Sequence, residues 1–112
     1  MLRETGAGLL DTALPSEDRD RITNIFGIYE AQGIHFHALR TRGSGSRRFA
    51  TFHVLVPGDW TVQQGHDLCE DVEEAIVQAL PGTNVVSHME PLEDPKSWTD
   101  LELDRTSEPP HS

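Results

Sequence analysis

The stretch Ile34-His35-Phe36-His37-Ala38-Leu39-Arg40-Thr41-Arg42 alternates apolar and polar side chains with period two. A strand can bury one side of such a pattern; a helix would scatter it around its circumference. The alternation assigns Ile34, Phe36 and Ala38 to one face and His35, His37, Leu39 and Thr41 to the other. Two histidines spaced i, i+2 on one strand point the same way and can share a metal ion. Later in the chain His53, His66 and the pair His88 and Glu90 answer them, and a fold that gathered these residues would build a site.

At 112 residues the chain is one domain at most. Only 36% of it is hydrophobic, so the core is small, and small cores often need a metal or a second subunit. The formal net charge of −10 argues against nucleic acid, because phosphate binding needs a basic surface. An acidic surface concentrates cations instead. Cys69 is the single cysteine, so no disulfide forms within the chain and a reducing compartment fits. The first residues lack the apolar core of a signal peptide, and no stretch approaches the roughly 18 apolar residues of a membrane span.

Residues 1–15 look like a linker, with Gly6, Gly8 and the brief apolar pair Leu9-Leu10; that pair is too short for a membrane anchor. A first helix begins at Ser16, which can cap free backbone N–H groups, with Glu17 and Asp18 suiting the positive end of the dipole. Ile22, Ile25, Phe26 and Tyr29 fall on one stripe, and Gly33 stops the helix. The opening strand follows. Arg42-Gly43-Ser44-Gly45-Ser46-Arg47 is a hairpin loop; no Lys-Ser/Thr follows to make it a phosphate cradle. Strand two, 48–56, places Phe49, Thr51, His53 and Leu55 on one face and Ala50, Phe52, Val54 and Val56 on the other. It pairs antiparallel with strand one.

Pro57-Gly58-Asp59-Trp60 breaks the strand. Thr61 and Gln64 then form a capping box for a second helix with Gly65, Leu68, Cys69, Val72, Ile76 and Ala79 on its apolar stripe. His66 is expected at the edge of that stripe rather than on the solvent side. Cys69, a turn from His66, can ligate, but its place in the stripe favours a buried, inert thiol. Strand three, 84–90, puts Val86, His88 and Glu90 on one face and Val85, Ser87 and Met89 on the other, and ends at Pro91. Residues 92–112 form an acidic, proline-containing tail, expected to be mostly disordered. Trp98 either docks the start of that tail onto the body or stands exposed; His111 has no assigned role.

The order α-β-β-α-β implies an α+β, ferredoxin-like (metallochaperone-like) domain over 16–91, with a three-stranded sheet and two helices on one face. Nothing is left to cover the other face, so it meets either solvent or a second copy. We therefore expect a homodimer joined through that face, burying Phe49 and Leu55 or their neighbours.

Four segments in order, His37-Ala38-Leu39-Arg40-Thr41-Arg42, Phe49 to His53, Gly65-His66-Asp67 and His88-Met89-Glu90-Pro91, resemble the cytoplasmic C-terminal domain of cation diffusion facilitator transporters. These are bacterial efflux pumps for zinc, iron, manganese, cobalt and cadmium. The resemblance covers about residues 9 to 95, and Gly8-Leu9-Leu10-Asp11-Thr12-Ala13-Leu14-Pro15 is similar to the segment after the family's last membrane helix. It implies a metal site of His37, His53, His66, His88 and Glu90, with the acid able to bridge two ions. Relatives often carry Asp where this chain has Ala38, and some carry Asp where it has Glu90. His35 matches no motif position.

Imidazole and carboxylate donors together suit Zn²⁺ or a similar divalent transition-metal ion. The resemblance implies a regulatory, dimerising domain on the cytoplasmic face of the inner (plasma) membrane, working with the membrane part of the same transporter. The chain by itself would be soluble and cytoplasmic. Cations would neutralise two acidic copies and draw them together. A free-standing metal-binding protein or metallochaperone is the alternative, although chaperones of this shape usually carry Cys-x-x-Cys. No serine nucleophile motif or cofactor loop supports an enzyme, and RNA-binding aromatic strand motifs are missing.

Overall fold

In a computed structural model, which describes residues 13–98, the chain forms α1 (Ser16–Glu30), β1 (His35–Ser44), β2 (Arg47–Val56), α2 (Val62–Ala79) and β3 (Thr83–Pro91). The sheet order is β1-β2-β3. β1 and β2 pair antiparallel and β2 and β3 pair parallel, with α2 as the crossover. The expected α-β-β-α-β arrangement is therefore present, as a mixed sheet. Among the described residues no helix is long and apolar enough to cross a membrane.

Both helices pack on one face of the sheet. β2 supplies Ala50, Phe52, Val54 and Val56 to that face, each no more than 5% exposed. They meet Ile22 and Phe26 from α1 and Leu68, Val72 and Ile76 from α2. Phe26 stacks on Phe36 at a centroid distance of 4.2 Å and meets Phe52 edge-on at 4.9 Å. Each fully buried Val, Leu, Ile or Phe of this core stabilises the fold by about 1.5–3 kcal/mol relative to exposure. The capping box of α2 forms as the sequence indicates: Thr61 Oγ1 accepts from the Gln64 amide (3.0 Å), and the Gln64 side chain accepts from the Thr61 amide (2.8 Å). Gly65 lets α2 lie close against β3, because a Cβ there would overlap Met89 Sδ.

Several expectations need correction. Ser16 is not the cap of α1. Pro15 is the N-cap, without a side-chain hydrogen bond, and its carbonyl accepts from the Asp18 and Arg19 amides. The hairpin is tighter than expected, since β1 continues through Ser44 and only Gly45 and Ser46 turn the chain, Gly45 with φ +64°.

The larger correction lies in β1. Ala38 adopts φ +61°, and the register shifts between His37, opposite His53, and Arg40, opposite Thr51. An extra residue in one strand reverses the alternation beyond it. Leu39 therefore packs against the core instead of sharing a face with His37. Thr41, opposite the buried Ala50, accepts from the Leu14 amide through Oγ1 at 3.3 Å. Leu14 is buried, so the last residues of the expected linker belong to the body; residues 1–12 lie outside the described part.

The open face is also less open than expected. Residues 92–98 fold back, ending in a helical turn. The Leu92 amide donates to Val56 O (2.7 Å), the Gly58 amide to Glu93 Oε1 (2.8 Å), Ser97 Oγ to Pro91 O (2.8 Å) and Trp98 Nε1 to Leu92 O (2.9 Å). Ser97 and Leu55 are both buried. Leu55 thus has no surface to offer a second copy. At the other end of that face Phe49 lies beneath the guanidinium groups of Arg42 and Arg47, 4.4 and 5.7 Å from its centroid. Residues 99–112, including His111, lie outside the described part.

Candidate metal centre

The strand registers place three histidines in a row across the sheet. His37 on β1 faces His53 on β2, and His53 faces His88 on β3. Neighbouring strands lie about 4.8 Å apart, and the ring centroids follow at 5.7 Å for His37 to His53 and 5.2 Å for His53 to His88. All three stand on the face away from the helices. The opposite side of β3 is fixed there by Ser87, whose Oγ donates to Glu73 on α2, and by Met89 against Gly65. The faces expected for β2 and β3 are therefore the observed ones.

Glu90, two residues after His88, shares its face. Its Oε2 lies 3.8 Å from His53 Nδ1 and 3.8 Å from His88 Nε2. Ligand atoms of His53, His88 and Glu90 all lie within 4.8 Å of one another. Two donors of a tetrahedral ion, each about 2.0–2.1 Å from it, stand about 3.3–3.4 Å apart. The two Glu90 sides of the triangle need to contract by about half an ångström to grip such an ion, and the side between the two histidines can need a larger rotamer adjustment. His53 Nδ1 is buried without a hydrogen-bond partner; a desolvated nitrogen of this kind is costly unless something supplies what water no longer does. Two nitrogens and an oxygen suit a divalent transition metal. The cluster is accessible from one side, since His88 is 67% exposed while Glu90 is 11% exposed.

His66 is placed differently. It projects from α2 into solvent, 58% exposed, with Nε2 at 3.3 Å from Glu70 Oε2. The expectation of an edge position sheltered from solvent is wrong: residues 65 and 68 face the sheet, and residue 66 turns away. Its own chain does not bring it to the row of histidines, which sits beyond the sheet. Cys69 is half-buried. Burial chiefly pushes its thiol above the ordinary 9.0, a Ser87 hydrogen bond partly opposes this, and the Glu73 carboxylate adds to the rise.

For Trp98 the sequence allows either docking or exposure, and the structure docks it. Its ring lies 5.4 Å from that of His37 and 5.9 Å from that of His35. The available signal was local: Asp94 Oδ1 accepts from the Lys96 amide and starts the helical turn that carries Ser97 and Trp98 back to the sheet.

The family profile described as "Cation efflux protein, cytoplasmic domain" matches residues 14–92. The uncharacterized transporter sll1263 of Synechocystis is 56% identical over 98 residues, which are 88% of this chain and 32% of that protein. The cation-efflux pump FieF of Citrobacter koseri is 38% identical over 89 residues, 79% of this chain and 29% of the pump. The chain thus spans about a third of the length of these relatives. Among solved structures, CzrB in its Zn form superposes with a TM-score of 0.65 at 37% identity, covering 73% of this chain and 93% of that one.

Proposed function

The chain belongs to the cation efflux protein family, matching its cytoplasmic domain, and from that premise we propose that it is the metal-sensing, dimerising cytosolic part of a divalent-cation efflux transporter, with zinc as the ion. The observation that carries this reading is the triangle of His53, His88 and Glu90, drawn from two parallel strands and aimed away from the core. His53, His88 and Glu90 hold the ion, and His37 joins them from the next strand. His66, exposed on the helix layer, takes part as a ligand presented by a second copy. The similarity to CzrB in its Zn form supports the choice of ion.

Bound cations would offset the −10 charge of each copy, so that two acidic domains close together when the metal is abundant and separate when it is scarce. The membrane part of the same transporter would receive that motion. Native mass spectrometry during a Zn²⁺ titration counts ions and subunits together. The expected result is at least one zinc per chain and a growing dimer population, with His66→Ala losing zinc only from the dimer. A zinc-free monomer at every metal concentration would overturn the proposal.

A further inference from the structure

The segment after β3 lies mostly beyond the matched family region, which ends at residue 92, yet it is tied down by hydrogen bonds to Val56, Gly58 and Pro91 and ends against the histidines. We propose that residues 92–98 are a strap whose Trp98 indole positions His37, and His35 beside it, and thereby sets how tightly the histidine row takes a cation. The inference rests on the metal-centre reading above and adds a positioning residue to it.

The geometry supports positioning rather than simple cover. The indole is held at its polar edge, where Nε1 donates to Leu92 O (2.9 Å), and Leu92 is itself pinned to Val56 O (2.7 Å). Its apolar ring is then left to pack, at 5.4 Å from His37 and tilted by 45°, and at 5.9 Å from His35 and nearly edge-on at 73°. An aromatic ring anchored in this way restricts the rotamers open to its neighbours. His37 needs such help, because it directly precedes Ala38, where positive φ breaks the strand pairing. A ligand held ready loses less freedom when the ion arrives, and binding is tighter by that amount. Trp98 is 41% exposed, so the strap closes one flank of the row without sealing it.

The experiment compares wild type, Trp98→Ala, Trp98→Phe and Ser97→Ala. Calorimetry with Zn²⁺ gives the affinities, and metal-free NMR reads the His35 and His37 ring signals. Trp98→Ala should weaken zinc binding by about tenfold, the scale seen when a group that orients a ligand is removed. Trp98→Phe keeps the ring and should restore most of the affinity. Ser97→Ala loses only the hydrogen bond to Pro91 O and should lie between wild type and Trp98→Ala, which tests the strap without touching the indole. In the metal-free protein the two histidine ring signals should move in Trp98→Ala. A merely structural role would lower the melting temperature and leave the affinity of the folded variant alone. Equal affinities for folded wild type and Trp98→Ala would overturn the positioning role by itself. Absence of zinc binding in wild type would instead overturn the metal centre, and this inference with it.

Discussion

On β2, Phe52 and His53 are neighbours in sequence and opposites in surroundings. Phe52 is 1% exposed among Phe26, Phe36 and the aliphatic residues of α2. His53 stands on the other face, among His37, His88 and Glu90. One face is filled by groups that avoid water. The other gathers donors that water would have to solvate, or that an ion could hold together. The fold spends its small core on one side of a three-stranded sheet and keeps the other for polar chemistry. Stability and metal binding should therefore separate by face.

The largest expected effect tests this separation directly. Phe52→Ala should destabilise the domain by about 3–5 kcal/mol, the usual cost of removing a buried aromatic side chain, seen as a lower denaturant midpoint. His53→Ala, one residue on, should leave the metal-free midpoint nearly unchanged, because it removes a buried nitrogen that has no hydrogen-bond partner. It should nevertheless weaken zinc binding by at least about a hundredfold, since a direct ligand matters more than the groups that orient it. If His53→Ala unfolded the metal-free protein as readily as Phe52→Ala, the division between faces would be broken.

A smaller effect concerns the point where the alternation reverses. Ala38 at φ +61° occupies a region that costs an L-residue about 1–2 kcal/mol. Glycine removes that cost and adds about 0.5–1 kcal/mol of unfolded-state freedom to be lost on folding. Ala38→Gly should therefore stabilise the domain by about 0.5–1 kcal/mol, the balance of those two effects. Since the bulge also keeps His37 on the open face while sending Leu39 to the core, zinc affinity should not change. Loss of stability in Ala38→Gly would mean that the bulge is not strained.

The two faces also differ in how far the sequence reveals them. The periodicity of 48–56 identifies the buried set of β2 residue by residue, and Thr61 with Gln64 marks the start of α2. Period two also places His53, His88 and Glu90 on the open face. The failures have local physical causes. The bulge at Ala38 is invisible because alanine carries no turn signal, and it alone misassigns Leu39 and Thr41. For His66 the helical wheel misleads because the buried stripe ends one residue earlier, at Gly65. Residues 92–98 look like an acidic tail because their order comes from a few single bonds, the Leu92 amide to Val56 O and the Ser97 and Trp98 side chains to the carbonyls of Pro91 and Leu92, which leave no periodic pattern in the sequence. Leu55 reads as available to a partner because the pattern of β2 alone does not show that its own chain buries it.

The smallest effect lies on the packed side, where a reactive group is muted rather than exposed. Cys69 has its pKa raised, first by burial and further by Glu73, with Ser87 partly opposing. The folded chain thus holds the thiol proton more firmly than the unfolded chain. The associated stability is fully present below the unfolded thiol pKa and is lost as pH rises through the higher folded value. Wild type should lose slightly more stability than Cys69→Ala between about pH 8 and pH 10, a range that brackets the ordinary thiol pKa. Alkylation by iodoacetamide at about pH 8 should likewise run slower than for a small free thiol, because the thiolate is the nucleophile. Glu73→Gln removes one upward push and should speed it. Its effect on zinc binding should be nil, because Glu73 and Cys69 lie on the helix side of β3 and the histidine row on the other. An alkylation rate that fell on adding Zn²⁺ would break the comparison, by showing that the thiol on the packed side senses the ion on the open one.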